Sequence, residues 1–75
     1  MPKLPVLSGR EVVKALGKAG FVPIRQKGSH IILSRNDPSG RKGLVVPDHK
    51  EIDKGTLIEI IRQANLTRDE FLKLL

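Results

Sequence analysis

Cysteine, tryptophan and tyrosine are absent from this chain of 75 residues, and phenylalanine occurs only twice. Without cysteine, the chain has no disulfides to stabilise a small secreted domain and no thiolate ligands for zinc. With so few aromatic rings, it lacks the platforms on which single-strand nucleic-acid binders stack bases. The two histidines and the scattered carboxylates match no common metal-ligand spacing, so we expect neither a metal nor a cofactor.

Long apolar runs and a secretion signal are also missing. Apolar residues make up 39% of the chain and recur in short periodic segments, which is typical of a folded core and not of a disordered or membrane-spanning chain. A chain of this length buries only about 60% of its unfolded surface and has room for one core. We therefore expect a single domain over residues 1–75, located in the cytoplasm.

Acidic residues are few compared with basic ones. The chain has 14 Lys and Arg against 8 Asp and Glu, a net charge of +6. The excess lies in residues 1–50, which hold ten basic and three acidic side chains, whereas residues 51–75 hold four and five. An excess of this kind indicates an anionic partner, most commonly a polyphosphate chain, although plain solubility is the alternative interpretation.

The first helix is predicted from its two ends. Ser8 stands at an N-cap position with Glu11 three places later, the spacing of a capping box, and Gly20 supplies the left-handed residue that commonly ends a helix. Between these ends, three basic residues at four-residue spacing form a ridge that could follow a phosphate backbone or simply be solvated: Arg10, Lys14 and Lys18.

Three strands are predicted after this helix. The segment FVPIRQ, residues 21–26, contains Pro23, which has no N–H to donate, so we expect an edge strand. After a turn at Gly28, the segment SHIILSR has the apolar content of a central strand, and RKGLVV follows a run of turn-forming residues. The connections are short, so they predict an antiparallel meander.

The C-terminal third is predicted to be helical. Four apolar residues have the i, i+3, i+4, i+7 spacing of one buried face: Leu57, Ile60, Ile61 and Ala64. Asp53 or Thr56 can cap this helix, and Thr67 with Glu70 forms the capping box of a short final helix. The predicted fold class is therefore α+β, an α-β-β-β-α two-layer sandwich with helices on one face of a three-stranded antiparallel sheet and a short extra C-terminal helix.

His30 stands at the start of the most apolar strand, directly after the glycine turn. Because strand side chains alternate, Ile31 and Leu33 share one face and His30 lies on the other. We expect the Ile31 face to meet the helices, since the opposite choice would bury an ionisable ring in a small core. His30 is then predicted to lie on the open face of the sheet.

A histidine exposed among cations has a chemical interpretation. A neutral imidazole can take the proton from an RNA 2′-hydroxyl, which attacks the adjacent phosphorus while cations stabilise the charge of the transition state. An ordinary surface histidine is the alternative. The residues grouped with His30 as predicted RNA contacts are Arg25, Lys27, Gly28, Ser29, Arg35, Arg41 and Lys42.

The second histidine, His49, follows Pro47 in a polar connection. It could be a second acid or base, an RNA contact, or a residue that flanks a helix without chemistry. Sequence spacing does not fix how near it lies to His30. We expect a supporting or structural role.

Three blocks of the sequence, KGSHIIL, VVPDHKEI and KGTLIEIIRQANL, occur in an order and spacing that resemble the HicA toxin family of bacterial and archaeal toxin–antitoxin modules. The resemblance runs from about Ser8 to the C-terminus. It implies a fold like that of double-stranded-RNA-binding domains, with the same α-β-β-β-α order that the residues predict.

The resemblance also carries an expected function. It places the family's catalytic histidine at His30, with Gly28 and Ser29 forming the turn that presents it, and its second block falls on Pro47 and His49. It implies a type II toxin that halts translation as a metal-independent endoribonuclease cleaving messenger RNA. The implied partners are this RNA and a HicB-like antitoxin that binds over the active site, with no membrane.

Two other functions remain open on the residues alone. The same basic surface suits a non-catalytic RNA-binding module, which would bind RNA in a salt-sensitive way without producing cleavage products. It also suits a protein whose main task is to bind an acidic partner protein. RNA cleavage that depends on His30 would distinguish the endoribonuclease from both of these functions.

Overall fold

The structure is a computed structural model that describes residues 3–75. In chain order its elements are α1 (Gly9–Lys18), β1 (Val22–Lys27), β2 (His30–Asp37), β3 (Gly40–Pro47), α2 (Lys54–Gln63) and α3 (Arg68–Leu72). This order confirms the predicted α-β-β-β-α arrangement with a short helix at the C-terminal end. Within residues 3–75, no helix has the length and apolarity needed to cross a bilayer.

The three strands form one antiparallel sheet in the order β1-β2-β3. β2 is central and pairs with β3 in unbroken register, from His30 opposite Pro47 to Asp37 opposite Gly40. β1 lies at an edge, as Pro23 predicts, and its register with β2 shifts between Pro23 and Arg25. Two connected hairpins therefore bring the C-terminal ends of β1 and β3 close to His30 at the start of β2.

The core lies between one face of the sheet and the helices. On the sheet side it contains Ile31 and Leu33 of β2 and Leu44 and Val46 of β3, all buried. The helices and the C-cap of α2 contribute Val12, Ala15, Leu16, Leu57, Ile60, Ile61, Ala64 and Phe71. The prediction that the Ile31 face meets the helices is confirmed. The alternate residues of β2, beginning with His30, consequently occupy the opposite face, which we call the open face.

Each helix begins with a side chain that satisfies free backbone N–H groups. Ser8 Oγ accepts a hydrogen bond from the Glu11 amide at 3.1 Å, and Glu11 Oε1 accepts one from the Ser8 amide at 2.9 Å. Thr67 and Glu70 repeat this capping box at α3, and Asp53, one of the two candidates, caps α2. Gly20, at φ 96°, directly follows the C-cap of α1, as predicted.

Because the carboxylates of Glu11 and Glu70 accept hydrogen bonds at helix N-termini, we expect part of the free energy of unfolding to be lost in acid. Backbone and side-chain hydrogen bonds from Ser8 lower the pKa of Glu11 from its ordinary 4.5, and those from Thr67 lower the pKa of Glu70. A carboxyl whose pKa is lower in the folded state stabilises it above the unfolded pKa, and this stabilisation disappears as the pH falls through the folded pKa. We expect the double variant Glu11→Gln, Glu70→Gln to lose less stability than the wild type between about pH 5 and pH 3.

Urea unfolding at a series of pH values measures this difference. Glu51→Gln is the matched control, since the Glu51 carboxylate accepts no hydrogen bond in the part of the chain that the structure describes. The control should follow the wild-type pH dependence. A constant difference in unfolding free energy between wild type and double variant, from neutral to acid pH, would contradict the assignment.

Candidate catalytic site on the open sheet face

A two-residue turn places His30 at the first position of β2. Gly28 has φ 59°, in the left-handed region that a residue with a Cβ adopts reluctantly, whereas Ser29 has no positive φ. A hairpin loop with a positive φ at its first residue alone fits the type II′ pattern, which favours glycine there. The Ser29 carbonyl accepts a hydrogen bond from the Asp48 amide at 2.6 Å, so the turn is joined to the chain that leaves β3.

The His30 side chain is exposed on the open face. In the sheet register it stands directly opposite Lys27 of β1 and Pro47 of β3. The hydrogen bonds within residues 3–75 include several in this turn, but none of them uses the imidazole. Both ring nitrogens are therefore available for a substrate, and an ammonium group lies on the neighbouring strand.

Two arginines share this face with His30. Arg25 stands opposite Ile32, two residues along β2 from His30, and Arg41 stands opposite Asn36 near the far end of β2. Arg41 Nε donates to Ser34 Oγ at 2.7 Å, so the hydroxyl of Ser34, which is only 7% exposed, has a hydrogen-bond partner. The cations on the open face are thus Arg25, Lys27 and Arg41.

Arg35 and Lys42 lie on the other face of the sheet. They stand opposite each other in the register, and Arg35 is occupied within the fold. Its Nε donates to Asp37 Oδ1 at 2.7 Å, its Nη1 donates to the Ala19 carbonyl at 3.1 Å, and its guanidinium lies 4.5 Å from the centre of the Phe21 ring. The sequence grouped both residues with His30, but the sheet separates them from it.

His49 lies beyond the end of β3, two residues after the proline that pairs with His30. Its side chain is exposed. Its backbone carbonyl accepts a hydrogen bond from the Gly9 amide at 2.9 Å, which ties this segment to the first turn of α1. The structure therefore places His49 near the same end of the sheet as His30, without a hydrogen bond between the two.

Asp48 was not predicted as a site residue from the sequence, yet this carboxylate joins three segments beside the His30 turn. Arg10 Nε and Nη2 donate to its two oxygens at 3.3 and 3.4 Å, and Gln26 Nε2 donates to Oδ2 at 3.2 Å. Gln26 Nε2 also donates to the Gly28 carbonyl at 3.1 Å. These partners are 38 and 22 residues away along the chain, so no local spacing in the sequence could have identified the cluster.

A groove of about 750 Å³ runs between β3 and α2, and His30 is not among the residues that line it. Ile32 and Val45 line it, with Asp53 and Glu59 adding negative charge. We give more weight to the open face, because a phosphate chain binds on an exposed cationic surface and is repelled by carboxylates. Among residues 3–75, no three potential metal-ligating side chains form a group that could hold an ion.

Comparison with known protein families identifies one match. The model of the family described as the HicA toxin of bacterial toxin-antitoxin matches residues 9–66, which include all three strands, α1 and α2. A comparison with curated proteins found no match.

Proposed function

The chain belongs to the HicA toxin family, and from this premise we propose that it is a metal-independent endoribonuclease that halts translation by cutting messenger RNA. Membership makes the chain a toxin of a toxin–antitoxin system, with an antitoxin as its partner. The observation that carries the proposal is the placement of His30, whose imidazole is exposed and free on the open face, opposite Lys27.

This placement supports the following chemistry. The neutral imidazole of His30 takes the proton of a ribose 2′-hydroxyl, and the 2′-oxygen attacks the adjacent phosphorus. The bond from phosphorus to the 5′-oxygen breaks, and this oxygen receives a proton from the imidazolium, from His49 or from water. The products are an RNA end with a 2′,3′-cyclic phosphate and an RNA end with a free 5′-hydroxyl.

The cations of the open face support the transition state and the binding of RNA. Lys27, opposite His30, is placed to neutralise the negative charge that grows on the phosphate oxygens during the attack. Arg25 and Arg41 extend the positive charge along the same face, so they would bind the neighbouring phosphates of the RNA. Binding should weaken steeply with salt, because each phosphate contact releases counterions.

The same face is the proposed binding surface of a HicB-like antitoxin. A protein that presents carboxylates to Lys27 and Arg25 would neutralise the RNA contacts and cover His30 in a single interaction. Inhibition of cleavage would then follow from competition for one surface.

Incubation of the purified protein with RNA in EDTA tests the proposal. We expect cleavage to continue in the chelator and the upstream fragments to end in a 2′,3′-cyclic phosphate, identified by mass spectrometry. The His30→Ala variant should give no fragments under the same conditions. Salt-sensitive RNA binding without fragments, whatever residue occupies position 30, would instead identify a non-catalytic RNA-binding module.

A further inference from the structure

We propose that Asp48 is a positioning residue for His30. Through Gln26 and Arg10, its carboxylate holds the Gly28–Ser29 turn against the N-terminal end of α1. The inference rests on the proposed catalytic role of His30 and extends the site to a residue that does not touch the substrate.

The first contact that carries the inference is the side-chain amide of Gln26. Its Nε2 donates to the Gly28 carbonyl at 3.1 Å and to Asp48 Oδ2 at 3.2 Å. A glutamine amide carries two hydrogens, so it can serve both acceptors at once. The carbonyl of the turn and the carboxylate after β3 are therefore held by one group.

The second contact reaches from α1. Arg10 donates from Nε and Nη2 to the two carboxylate oxygens of Asp48, at 3.3 and 3.4 Å. The paired geometry restricts the orientation of the carboxylate as well as its position. The Arg10 side chain is 78% exposed, against 21% for Asp48. An ion pair this exposed contributes little to global stability, so its main consequence is local orientation.

Backbone hydrogen bonds fix the chain on both sides of this carboxylate. The Asp48 amide donates to the Ser29 carbonyl at 2.6 Å, and the Gly9 amide donates to the His49 carbonyl at 2.9 Å. His30 follows Ser29 directly and pairs with Pro47, the residue before Asp48. A shift of the carboxylate would therefore move the backbone that carries the imidazole. A displacement of about 1 Å at a reacting group can cost about 10²-fold in rate.

The experiment compares Asp48→Ala and Asp48→Asn with a matched control, Glu59→Gln. Glu59 also pairs with an arginine, Arg62, but both residues lie on α2, and the side-chain partners of Glu59 are Arg62 and Gln63 of the same helix. For each protein, single-turnover cleavage gives the maximal rate and the RNA concentration at half-maximal rate. NMR gives the amide hydrogen exchange of Ser29 and His30 and the ring signals of His30.

We expect Asp48→Ala to lower the maximal cleavage rate by about 10-fold or more, with less than about a two-fold change in half-saturating RNA. Amide exchange in the turn should accelerate, and the His30 ring signals should shift. Asp48→Asn keeps one oxygen that can accept from Gln26, so it should fall between Asp48→Ala and the wild type. Glu59→Gln should match the wild type in every measurement.

Two results would overturn the positioning role while leaving the ribonuclease proposal intact. The first is an Asp48→Ala variant in which the amide hydrogen exchange of the turn and the ring signals of His30 are the same as in the wild type. The other is accelerated exchange with an unchanged cleavage rate. If His30→Ala cleaves RNA as fast as the wild type, the proposed function fails, and the positioning role fails with it.

Discussion

Replacing His30 by alanine is expected to lower RNA cleavage by about 10²- to 10⁴-fold, the range typical of losing a general acid or base. The side chain is exposed and makes no hydrogen bond within residues 3–75, so its removal should change the free energy of unfolding by less than about 0.5 kcal/mol. RNA binding should persist, because Lys27, Arg25 and Arg41 remain on the open face.

Single-turnover cleavage of a labelled RNA measures the rate, and thermal unfolding followed by circular dichroism checks that the variant is folded. His49→Ala is the matched control, since it removes the other imidazole at the same end of the sheet. If His49 only supports the site, its loss should reduce the rate much less than the loss of His30. Full cleavage or full growth arrest by His30→Ala would contradict the mechanism.

Replacing Gly9 by alanine is expected to destabilise the fold strongly. A Cβ at this buried position would lie 2.0 Å from the backbone carbonyl oxygen of Pro47 and 3.0 Å from its carbonyl carbon. These backbone atoms cannot rotate away, so α1 must move from the end of β3. Overpacking of this kind costs about 1–3 kcal/mol, and we expect the upper part of that range. For a domain of this size, such a loss lowers the Tm by about 10–20 °C.

A second glycine of the same helix provides the control for Gly9→Ala. A Cβ added at Gly17 would meet no atom within 4 Å, and alanine is the better helix former. Gly17→Ala should therefore leave the free energy of unfolding unchanged or raise it by up to about 1 kcal/mol. Its Tm should accordingly stay the same or rise. Thermal unfolding of the two variants measures this contrast. Equal Tm values would show that α1 does not approach Pro47 as closely as described.

The packing of Gly9 also connects the stability of the fold with the geometry around His30. The first turn of α1 rests on the segment that follows β3, which pairs with the His30 turn. We expect Gly9→Ala protein that remains folded at low temperature to cleave RNA more slowly than Gly17→Ala. The first turn of α1 and the His30 turn thus contact the same segment after β3.

Much of the fold was predictable because its signals are local. The capping box of Ser8 and Glu11 and the proline of β1 act over three or four residues, and the structure contains each of them. The choice of the Ile31 face as the core face needed only the alternation of a strand and the cost of burying an imidazole. His30 was placed on the open face by the same argument.

The grouping of the cations was less accessible to sequence reasoning. Proximity along the chain associated Arg35 and Lys42 with His30. Alternation along β2 already puts Arg35 on the face of Ile31, whereas the face of Lys42 depends on the register between β2 and β3. The guanidinium of Arg35 donates hydrogen bonds to the Asp37 carboxylate and to the Ala19 carbonyl at the end of α1. An arginine near a candidate site has many donors, and only the tertiary contacts show whether they are already used.

By itself, the sequence determined the order of the elements, the face that forms the core, and the exposure of one imidazole beside positive charge. These properties depend on interactions between residues a few positions apart, which leave a periodic trace. The tertiary structure alone decided which cations of β1 and β3 share the face of His30 and that Asp48, Gln26 and Arg10 meet beside its turn. Contacts between residues tens of positions apart depend on how α1 and the two hairpins come together, and no local pattern records that arrangement.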